Sequence, residues 1–219
     1  MEIKVLRNVM VKNNAIGGDN RWRLKKNNVF TINMLSSPGA GKTTLLQNTI
    51  GKLQEKYRIA VIEGDLYTSK DAQALESFNI PLVQINTEGG CHLDARMISG
   101  ALDSINLEDI DLLFVENVGN LVCPSGFDLG ENRRILIYPL TEGDDKPTKY
   151  ATMFSKVDLV IINKVDIAPY LNVSVEKAME EVRKVNETCE IIALSATKPE
   201  SLEDWFQWIE KESVSALQE

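Results

Sequence analysis

Short apolar runs rich in β-branched residues alternate with helical patterns from residue 29 onward. The runs predict seven strands: VFTINML (29–35), RIAVIEG (58–64), PLVQIN (81–86), DLLFVEN (111–117), RILIYPL (134–140), LVIINK (159–164) and EIIALS (190–195). Helical patterns cover 42–56, 69–78, 93–104, 149–156, 174–187 and 201–212. Most strand runs are continuously apolar, which is typical of strands buried on both faces of a parallel sheet. The alternation predicts an α/β fold with three layers and a mostly parallel, doubly wound sheet.

Residues 1–28 do not follow this alternation. We expect them to form an N-terminal extension that packs on the domain formed by residues 29–219. The chain has 219 residues, of which 43% are hydrophobic and 26% charged. These values lie in the ordinary range for a single globular domain with a substantial core.

Charge and cysteine content narrow the possible partners and the compartment. The formal net charge of −8 argues against a broad nucleic-acid-binding surface. No apolar run approaches the roughly 18–20 residues of a membrane span, and the first residues do not resemble a signal peptide. An odd number of cysteines, three, favours a reducing compartment. We therefore expect a cytoplasmic protein that binds neither nucleic acid nor membrane.

The segment SSPGAGKTT (36–44) lies between the first predicted strand and a helix. It matches the phosphate-loop pattern G-x-x-x-x-G-K-[ST], except that Ser36 replaces the first glycine. The backbone N–H groups of such a loop converge on phosphate oxygens, Lys42 reaches the outer phosphates, and Thr43 offers a hydroxyl to Mg²⁺. This pattern predicts a P-loop NTPase fold. The residues expected to contact the nucleotide here are Ser37, Pro38, Gly39, Ala40, Gly41, Lys42, Thr43 and Thr44.

Two later motifs favour guanine over adenine as the bound base. In NKVD (163–166), Asp166 can accept hydrogen bonds from the ring N1–H and the exocyclic amine of guanine, while Lys164 lies along the base. Adenine lacks this donor pair and would leave the carboxylate unpaired. The later segment LSAT (194–197) resembles the loop whose backbone supports the guanine. The predicted base contacts are Asn163, Lys164, Asp166, Ser195 and Ala196, and the predicted ligand is GTP or GDP.

The predicted switch elements depart from the usual GTPase pattern. Glu116-Asn117-Val118-Gly119 stands where Ras-like GTPases have D-x-x-G, so Glu116 can lie near Mg²⁺ and Gly119 can contact the γ-phosphate. Upstream, Asp65 or Asp71 can bind Mg²⁺ or orient the attacking water; alternatively, both are turn carboxylates near the helix over 69–78. The predicted catalytic residues are Lys42, Asp65, Asp71, Glu116 and Gly119, and the predicted Mg²⁺ ligands are Thr43, Asp65 and Glu116. We expect slow turnover, because no arginine is obviously placed to assist catalysis within the chain.

The only histidine, His92, directly follows one of the three cysteines in GGCHLDAR (89–96). Taken alone, the pair is explained by a half-buried histidine beside a small apolar thiol. Cys123, however, lies seven residues after Glu116, and thiolate and imidazole donors suit Ni²⁺ and Zn²⁺. Cys91, His92 and Cys123 would supply three ligands, one fewer than a closed four-coordinate site needs, and two copies across a homodimer axis could share theirs. Cys189 is predicted to be a core thiol.

The chain resembles the HypB family of nickel-incorporation GTPases, in the SIMIBI class of P-loop GTPases, which help to load nickel into [NiFe]-hydrogenase. The resemblance rests on EIKVL near the start, Asn20-Arg21, SSPGAGKTTLL, EGD, GGCHLDA, ENVGNLVCP and NKVD. It implies a Mg²⁺-dependent, metal-regulated GTPase that hydrolyses GTP to GDP and phosphate and dimerises with nucleotide or metal. It also implies that Cys91, His92 and Cys123 bind Ni²⁺ or Zn²⁺. The implied partners are a small zinc-containing nickel-delivery protein and the hydrogenase large subunit.

Some members of this family carry a cysteine motif or a histidine-rich stretch at the N-terminus for tight nickel binding or storage. The present chain has no Cys or His before Cys91, so the resemblance does not carry those roles over.

Other functions remain open at the level of sequence. A urease-type nickel accessory GTPase would have a Cys-Pro-His triplet, whereas Cys123-Pro124-Ser125 lacks the histidine. A zinc-metallochaperone GTPase of the cobalamin-synthesis type would need a C-x-C-C cluster, which the sequence does not contain. A signalling or translation GTPase with an incidental Cys/His pair is the alternative from another class. The sequence leaves open the choice between Ni²⁺ and Zn²⁺ and the order of nucleotide binding, metal binding and dimerisation.

Overall fold

The computed structural model describes residues 7–66 and 70–216, without the side chains of residues 7–9, 70 and 71. The described residues form seven strands in one parallel sheet, in the spatial order β3-β2-β4-β1-β5-β6-β7. The strands are β1 (Phe30–Ser36), β2 (Ile59–Asp65), β3 (Leu82–Asn86), β4 (Leu112–Glu116), β5 (Arg133–Pro139), β6 (Leu159–Asn163) and β7 (Glu190–Ala193). The predicted fold is confirmed, and all pairings in the sheet are parallel.

The described part of the chain contains eight α-helices. They are α1 (Arg7–Lys26), α2 (Lys42–Leu53), α3 (Lys70–Leu75), α4 (Ala95–Leu102), α5 (Lys146–Lys149), α6 (Ala151–Phe154), α7 (Val175–Val185) and α8 (Glu203–Ala216). Helix α6 lies within the helix predicted over 149–156 but is shorter, because the backbone of Tyr150, at φ −115° and ψ 38°, leaves the helical region between α5 and α6. None of the described helices is both long and apolar enough to cross a membrane.

Buried apolar residues lie on both faces of the sheet. On one face, α2 and α8 pack on alternate residues of the inner strands, including Phe30, Ile32 and Met34 of β1. On the other face, two separate apolar clusters form, one under α4 and the other under α6 and α7. Every residue of β1 is buried, including the polar residues Thr31, Asn33 and Ser36.

The N-terminal helix α1 is fastened to the domain by two buried asparagines. Asn13 donates to Asp128 O and accepts from Ala95 N, while Asn20 donates to both Ala95 O (2.8 Å) and Leu129 O (3.0 Å). The buried stripe of this helix consists of Asn13, Gly17, Asn20 and Leu24, spaced four, three and four residues apart. A hydrophobicity pattern does not detect such a stripe, and the sequence did not predict a helix here.

The parallel arrangement brings the loops that follow β1, β2, β4, β5, β6 and β7 to the same edge of the sheet. Ligands of open α/β sheets bind at this carboxyl edge. The phosphate loop follows β1, the Glu116 switch ends β4 and the NKVD motif ends β6, so the three predicted nucleotide motifs share this edge.

Candidate functional site

The phosphate loop adopts a conformation that two of its glycines permit. Gly39 and Gly41 have φ values of 69° and 95°, in the left-handed region that favours glycine. A Cβ atom on Gly41 would lie 2.6 Å from Asn163 Nδ2, so a side chain there would also clash. Because α2 begins at Lys42, its N-terminal N–H groups point into the loop and can bind phosphate.

Ser36, the departure from the phosphate-loop pattern, contacts the loop lysine. The Lys42 ammonium donates to Ser36 Oγ at 2.8 Å. The hydroxyl of the buried Ser36 in turn donates to Ser37 O. A serine at this position therefore gives the Lys42 ammonium a side-chain partner, which a glycine could not do.

The base side of the site is a cavity of about 230 Å³ between the phosphate loop, NKVD and the loop after β7. Asn163, 1% exposed, joins all three segments: its amide donates to Ala40 O (2.7 Å) and accepts from Ala196 N and Lys164 N (2.8 Å each). The predicted base residues are thus brought together. The cavity is lined by Gly41, Thr44, Asn163, Lys164, Asp166, Ile167, Ser195, Ala196 and Thr197.

Asp166 and Lys164 are held in place by contacts within this cavity. The Ser195 hydroxyl donates to Asp166 Oδ1 at 2.6 Å, which fixes the carboxylate that would receive the guanine N–H groups. Lys164 has φ 64°, an uncommon conformation for a side-chain-bearing residue, and its ammonium donates to Gly39 O at 2.8 Å. The lysine thereby spans the gap between NKVD and the phosphate loop.

The magnesium and γ-phosphate elements also lie together. Thr43 Oγ1 donates to Glu116 Oε1 at 2.8 Å, so the two oxygens expected to bind Mg²⁺ are already adjacent. Gly119 lies against the phosphate loop, since a Cβ atom there would be 2.9 Å from Pro38 Cα. Asp65 is the last residue of β2, and its carboxylate accepts from Leu66 N. Asp71 belongs to α3, but its side chain lies outside the described residues.

Glu63 is a residue that the sequence reasoning missed. It is 1% exposed and pairs in register with Glu116 on the neighbouring strand β4. Successive side chains of a strand alternate between faces, so Glu63 and Asp65 share a face of β2. A carboxylate inside the otherwise apolar run RIAVIEG was the available signal.

The sequence reasoning also missed Glu142. Its carboxylate accepts a hydrogen bond from the Ser37 hydroxyl and forms an ion pair with Lys146 at 3.2 Å.

The loop GGCHLDAR lies on the opposite face of the sheet from α2. Leu93 is fully buried against β2, where a Cβ atom on Gly64 would lie 2.8 Å from the leucine side chain. Asp94 caps α4 by accepting from Met97 N at 2.8 Å. The glycine on β2 therefore allows this loop to approach the switch strands closely.

The structure places Cys91 beside His92, with Cys91 Sγ 3.5 Å from His92 Nδ1. An interaction with the Cys123 side chain and burial raise the pKa of the Cys91 thiol, whereas burial lowers the pKa of His92 against the opposing effect of Asp94. Within the described chain, no group of three or more His, Cys, Asp or Glu side chains is arranged to hold a metal ion. One chain thus supplies adjacent soft donors but not a closed site.

Cys189, predicted to be a core thiol, is buried at 3% exposure in the apolar cluster under α6 and α7. It lies on a different part of the sheet from the Cys91–Cys123 pair.

Comparisons with known proteins identify the kind of domain and the family. Residues 30–193 match the family model described as "CobW/HypB/UreG, nucleotide-binding domain". A relative in Escherichia coli, "Hydrogenase maturation factor HypB", is 46% identical over 210 residues, which cover 96% of this chain and 72% of the relative. The chain belongs to the HypB family of hydrogenase maturation factors.

Two solved HypB structures resemble the present fold. The crystal structure of HypB from Helicobacter pylori in complex with nickel has 38% sequence identity and a TM-score of 0.89, covering 93% of this chain and 96% of that chain. HypB from Archaeoglobus fulgidus has 34% identity and a TM-score of 0.87, covering 93% and 99% respectively. The HypB family assignment therefore rests on both sequence and fold.

Proposed function

We propose that this HypB-family protein is a metal-regulated GTPase that hydrolyses GTP to GDP and phosphate and assists nickel insertion during hydrogenase maturation. One observation carries the proposal: Glu116, which accepts a hydrogen bond from Thr43 at the start of α2, ends the strand β4 that leads into the segment containing Cys123. Cys123 follows Glu116 and Gly119 on one short segment, so a γ-phosphate that reorders this segment also moves a metal ligand.

The proposed hydrolysis uses residues that already lie together. Thr43 and Glu116 would hold Mg²⁺, which neutralises charge developing on the phosphate oxygens when it is bound. Lys42 would leave Ser36 for the outer phosphates, and Gly119 N–H would contact the γ-phosphate. Asp65, at the end of β2, would orient the attacking water or complete the Mg²⁺ site, with Asp71 as the other candidate for this role.

The proposed metal is Ni²⁺ as the delivered ion, with Zn²⁺ as the competing occupant. Because the described residues of one chain do not form a closed site, we propose that Cys91, His92 and Cys123 of two copies combine in a homodimer that forms with nucleotide or metal. The partners would be a small zinc-containing nickel-delivery protein and the hydrogenase large subunit. Free thiols of this kind are maintained in the cytoplasm, which is the proposed location.

The base preference tests the GTPase part of the proposal. GTP is expected to bind better than ATP by several kcal/mol, and Asp166→Asn to shift the preference toward xanthosine nucleotides, because the amide presents the complementary donor. A competition titration with GTP, ATP and XTP measures both effects. Equal affinity of the wild-type protein for ATP and GTP would contradict the assignment.

Metal binding tests the rest. Cys91→Ala, His92→Ala and Cys123→Ala are each expected to abolish tight Ni²⁺ binding while GTP binding is retained, whereas the control variant Cys189→Ala retains both. Ni²⁺ affinity, measured by chelator competition, is expected to differ at least fivefold between the GDP-bound and GTP-analogue-bound states, which corresponds to about 1 kcal/mol of coupling. Equal Ni²⁺ affinity in the two states would refute the switch.

A further inference from the structure

Consecutive residues at the end of β4 point to opposite faces of the sheet. Glu116 points toward α2 and accepts from Thr43 on the nucleotide side. Asn117 points the other way, toward the GGCHLDAR loop. This follows from the alternation of side chains along a strand. One peptide unit therefore separates a group on the Mg²⁺ side from a group on the metal-loop side.

The Asn117 side chain joins the switch segment to the metal loop. Its Oδ1 atom accepts from two backbone groups, Val118 N at 2.9 Å and Leu93 N at 3.1 Å. Val118 lies between Glu116 and Gly119 in the switch, whereas Leu93 directly follows the proposed ligand His92. Since Asn117 is 2% exposed, water cannot readily replace either bond.

A chain of buried polar groups extends from Asn117 to the segment after Cys123. Asn117 Nδ2 donates to Asn33 Oδ1 (3.3 Å), and Asn33 donates to Glu131 Oε1 (3.0 Å). Arg134 binds the same Glu131 oxygen at 2.7 Å and donates to Phe127 O at 2.9 Å. We call Asn117, Asn33, Glu131 and Arg134 the polar seam.

The polar seam returns to the metal loop through an aromatic contact. The Phe127 ring lies on His92, with ring centroids 3.9 Å apart. The seam thus supports the metal loop at Leu93 through Asn117, and at His92 through Phe127.

The seam lies where the fold alone would favour apolar residues. It separates the two apolar clusters on its face of the sheet, and Asn33 sits on the central strand β1. Buried polar networks stabilise a single arrangement only when every member is bonded, and they lose this advantage when one bond is broken. The seam therefore holds its switch end and its metal-loop end in one bonded arrangement.

We propose that Asn117 is a positioning residue that transmits the nucleotide state of the switch to the Cys91–His92 loop. A γ-phosphate that binds the Gly119 N–H changes the backbone of the switch segment and so shifts the neighbouring Val118 N–H. Asn117, which is bonded to that N–H, then shifts its bond to Leu93. The inference rests on the proposed function and adds to it a second route, because the direct route through Cys123 moves only one of the three ligands.

The test compares Asn117→Ala with Asn186→Ala. Asn186 is a matched control: it is also a buried asparagine whose amide donates to two backbone carbonyls, Phe154 O and Val157 O, but it lies outside both sites. Ni²⁺ affinity is measured by chelator competition with GDP and with a non-hydrolysable GTP analogue. The ratio of the two affinities is expected to fall from at least fivefold to below twofold in Asn117→Ala and to remain unchanged in Asn186→Ala.

Amide hydrogen exchange of the wild-type protein gives a second measurement that needs no variant. The Leu93 amide, bonded to Asn117, is expected to exchange at different rates in the GDP and GTP-analogue states. An equal Leu93 exchange rate in the two states, or an unchanged affinity ratio in Asn117→Ala, overturns the inference and leaves the proposed function intact. A wild-type protein that fails to bind guanine nucleotide or Ni²⁺ instead overturns the proposed function itself.

Discussion

Asn163 joins the three loops of the base pocket, so its removal affects both folding and nucleotide binding. In Asn163→Ala, Ala40 O and Ala196 N lose their partner while remaining buried. Each such group costs about 1–3 kcal/mol when left unsatisfied. Because the pocket opens to solvent and water can enter it, we expect the lower end for each, a total loss of about 2–3 kcal/mol in the free energy of unfolding.

GDP binding is expected to weaken for a related reason. The variant must order the phosphate loop and the loop after β7 on binding, without the amide that holds them in the free protein. If ordering the two loops costs about 2 kcal/mol of the binding free energy, the GDP affinity falls about thirtyfold, since 1.4 kcal/mol corresponds to a tenfold change in affinity.

Urea unfolding and a GDP titration measure the two effects separately. Asn186→Ala serves as the control, because it removes a comparable set of buried hydrogen bonds in a different region. It is expected to lose similar stability and to bind GDP within twofold of the wild-type protein. If Asn163→Ala binds GDP as tightly as Asn186→Ala does, the loops are ordered by something other than Asn163.

Three further outcomes follow from other contacts. Asp65→Ala is expected to lower GTP turnover more than GDP affinity, and normal steady-state turnover would exclude Asp65 from the chemistry. Gly64→Ala places a Cβ atom 2.8 Å from Leu93 and displaces the metal loop, so Ni²⁺ affinity should fall about tenfold with GTP affinity retained; an unchanged chelator competition curve would contradict this. Arg58 lowers the pKa of Asp111, so the ion pair stabilises the fold fully above the ordinary aspartate pKa near 4, and this stabilisation is lost as the pH falls through the lowered pKa. Asp111→Asn should therefore destabilise the protein at pH 7, by less than about 1 kcal/mol because the aspartate is 37% exposed, and the difference in thermal unfolding should shrink as the pH is lowered through the acid range.

The strands could be predicted from sequence because their burial is continuous. A strand such as β6, in which every residue is buried, produces an apolar run that only Asn163 ends, and its predicted end differs from the observed one by one residue. Helix α1 shows the opposite case. Its buried face is formed by Asn13, Gly17 and Asn20 as well as Leu24. The asparagines are buried because they form hydrogen bonds with distant loops, and these partners cannot be identified from the local sequence.

The candidate site likewise contains parts that could be predicted from the sequence and parts that could not. Local motifs specified the phosphate loop and the base pocket, since each depends on residues a few positions apart. Glu63 and Asn117 depend on strand register instead: Glu63 gains its position opposite Glu116 only when β2 pairs with β4. Likewise, the proximity of Cys91 to Cys123 was inferred from donor chemistry, while the buried amide that joins their segments has no sequence signature.

The position of β1 in the sheet has a consequence for the order in which the protein can assemble. β1 precedes the phosphate loop, yet it pairs with β4 and β5, which are made much later in the chain. During synthesis, the loop sequence is complete long before residues 112–139 are available to flank it, and pairings of this kind form slowly. A ligand that binds only the native state stabilises a chain only after its binding site has folded. Guanine nucleotide is therefore expected to stabilise chains in which β4 and β5 have been synthesised, and not nascent chains that end before β5.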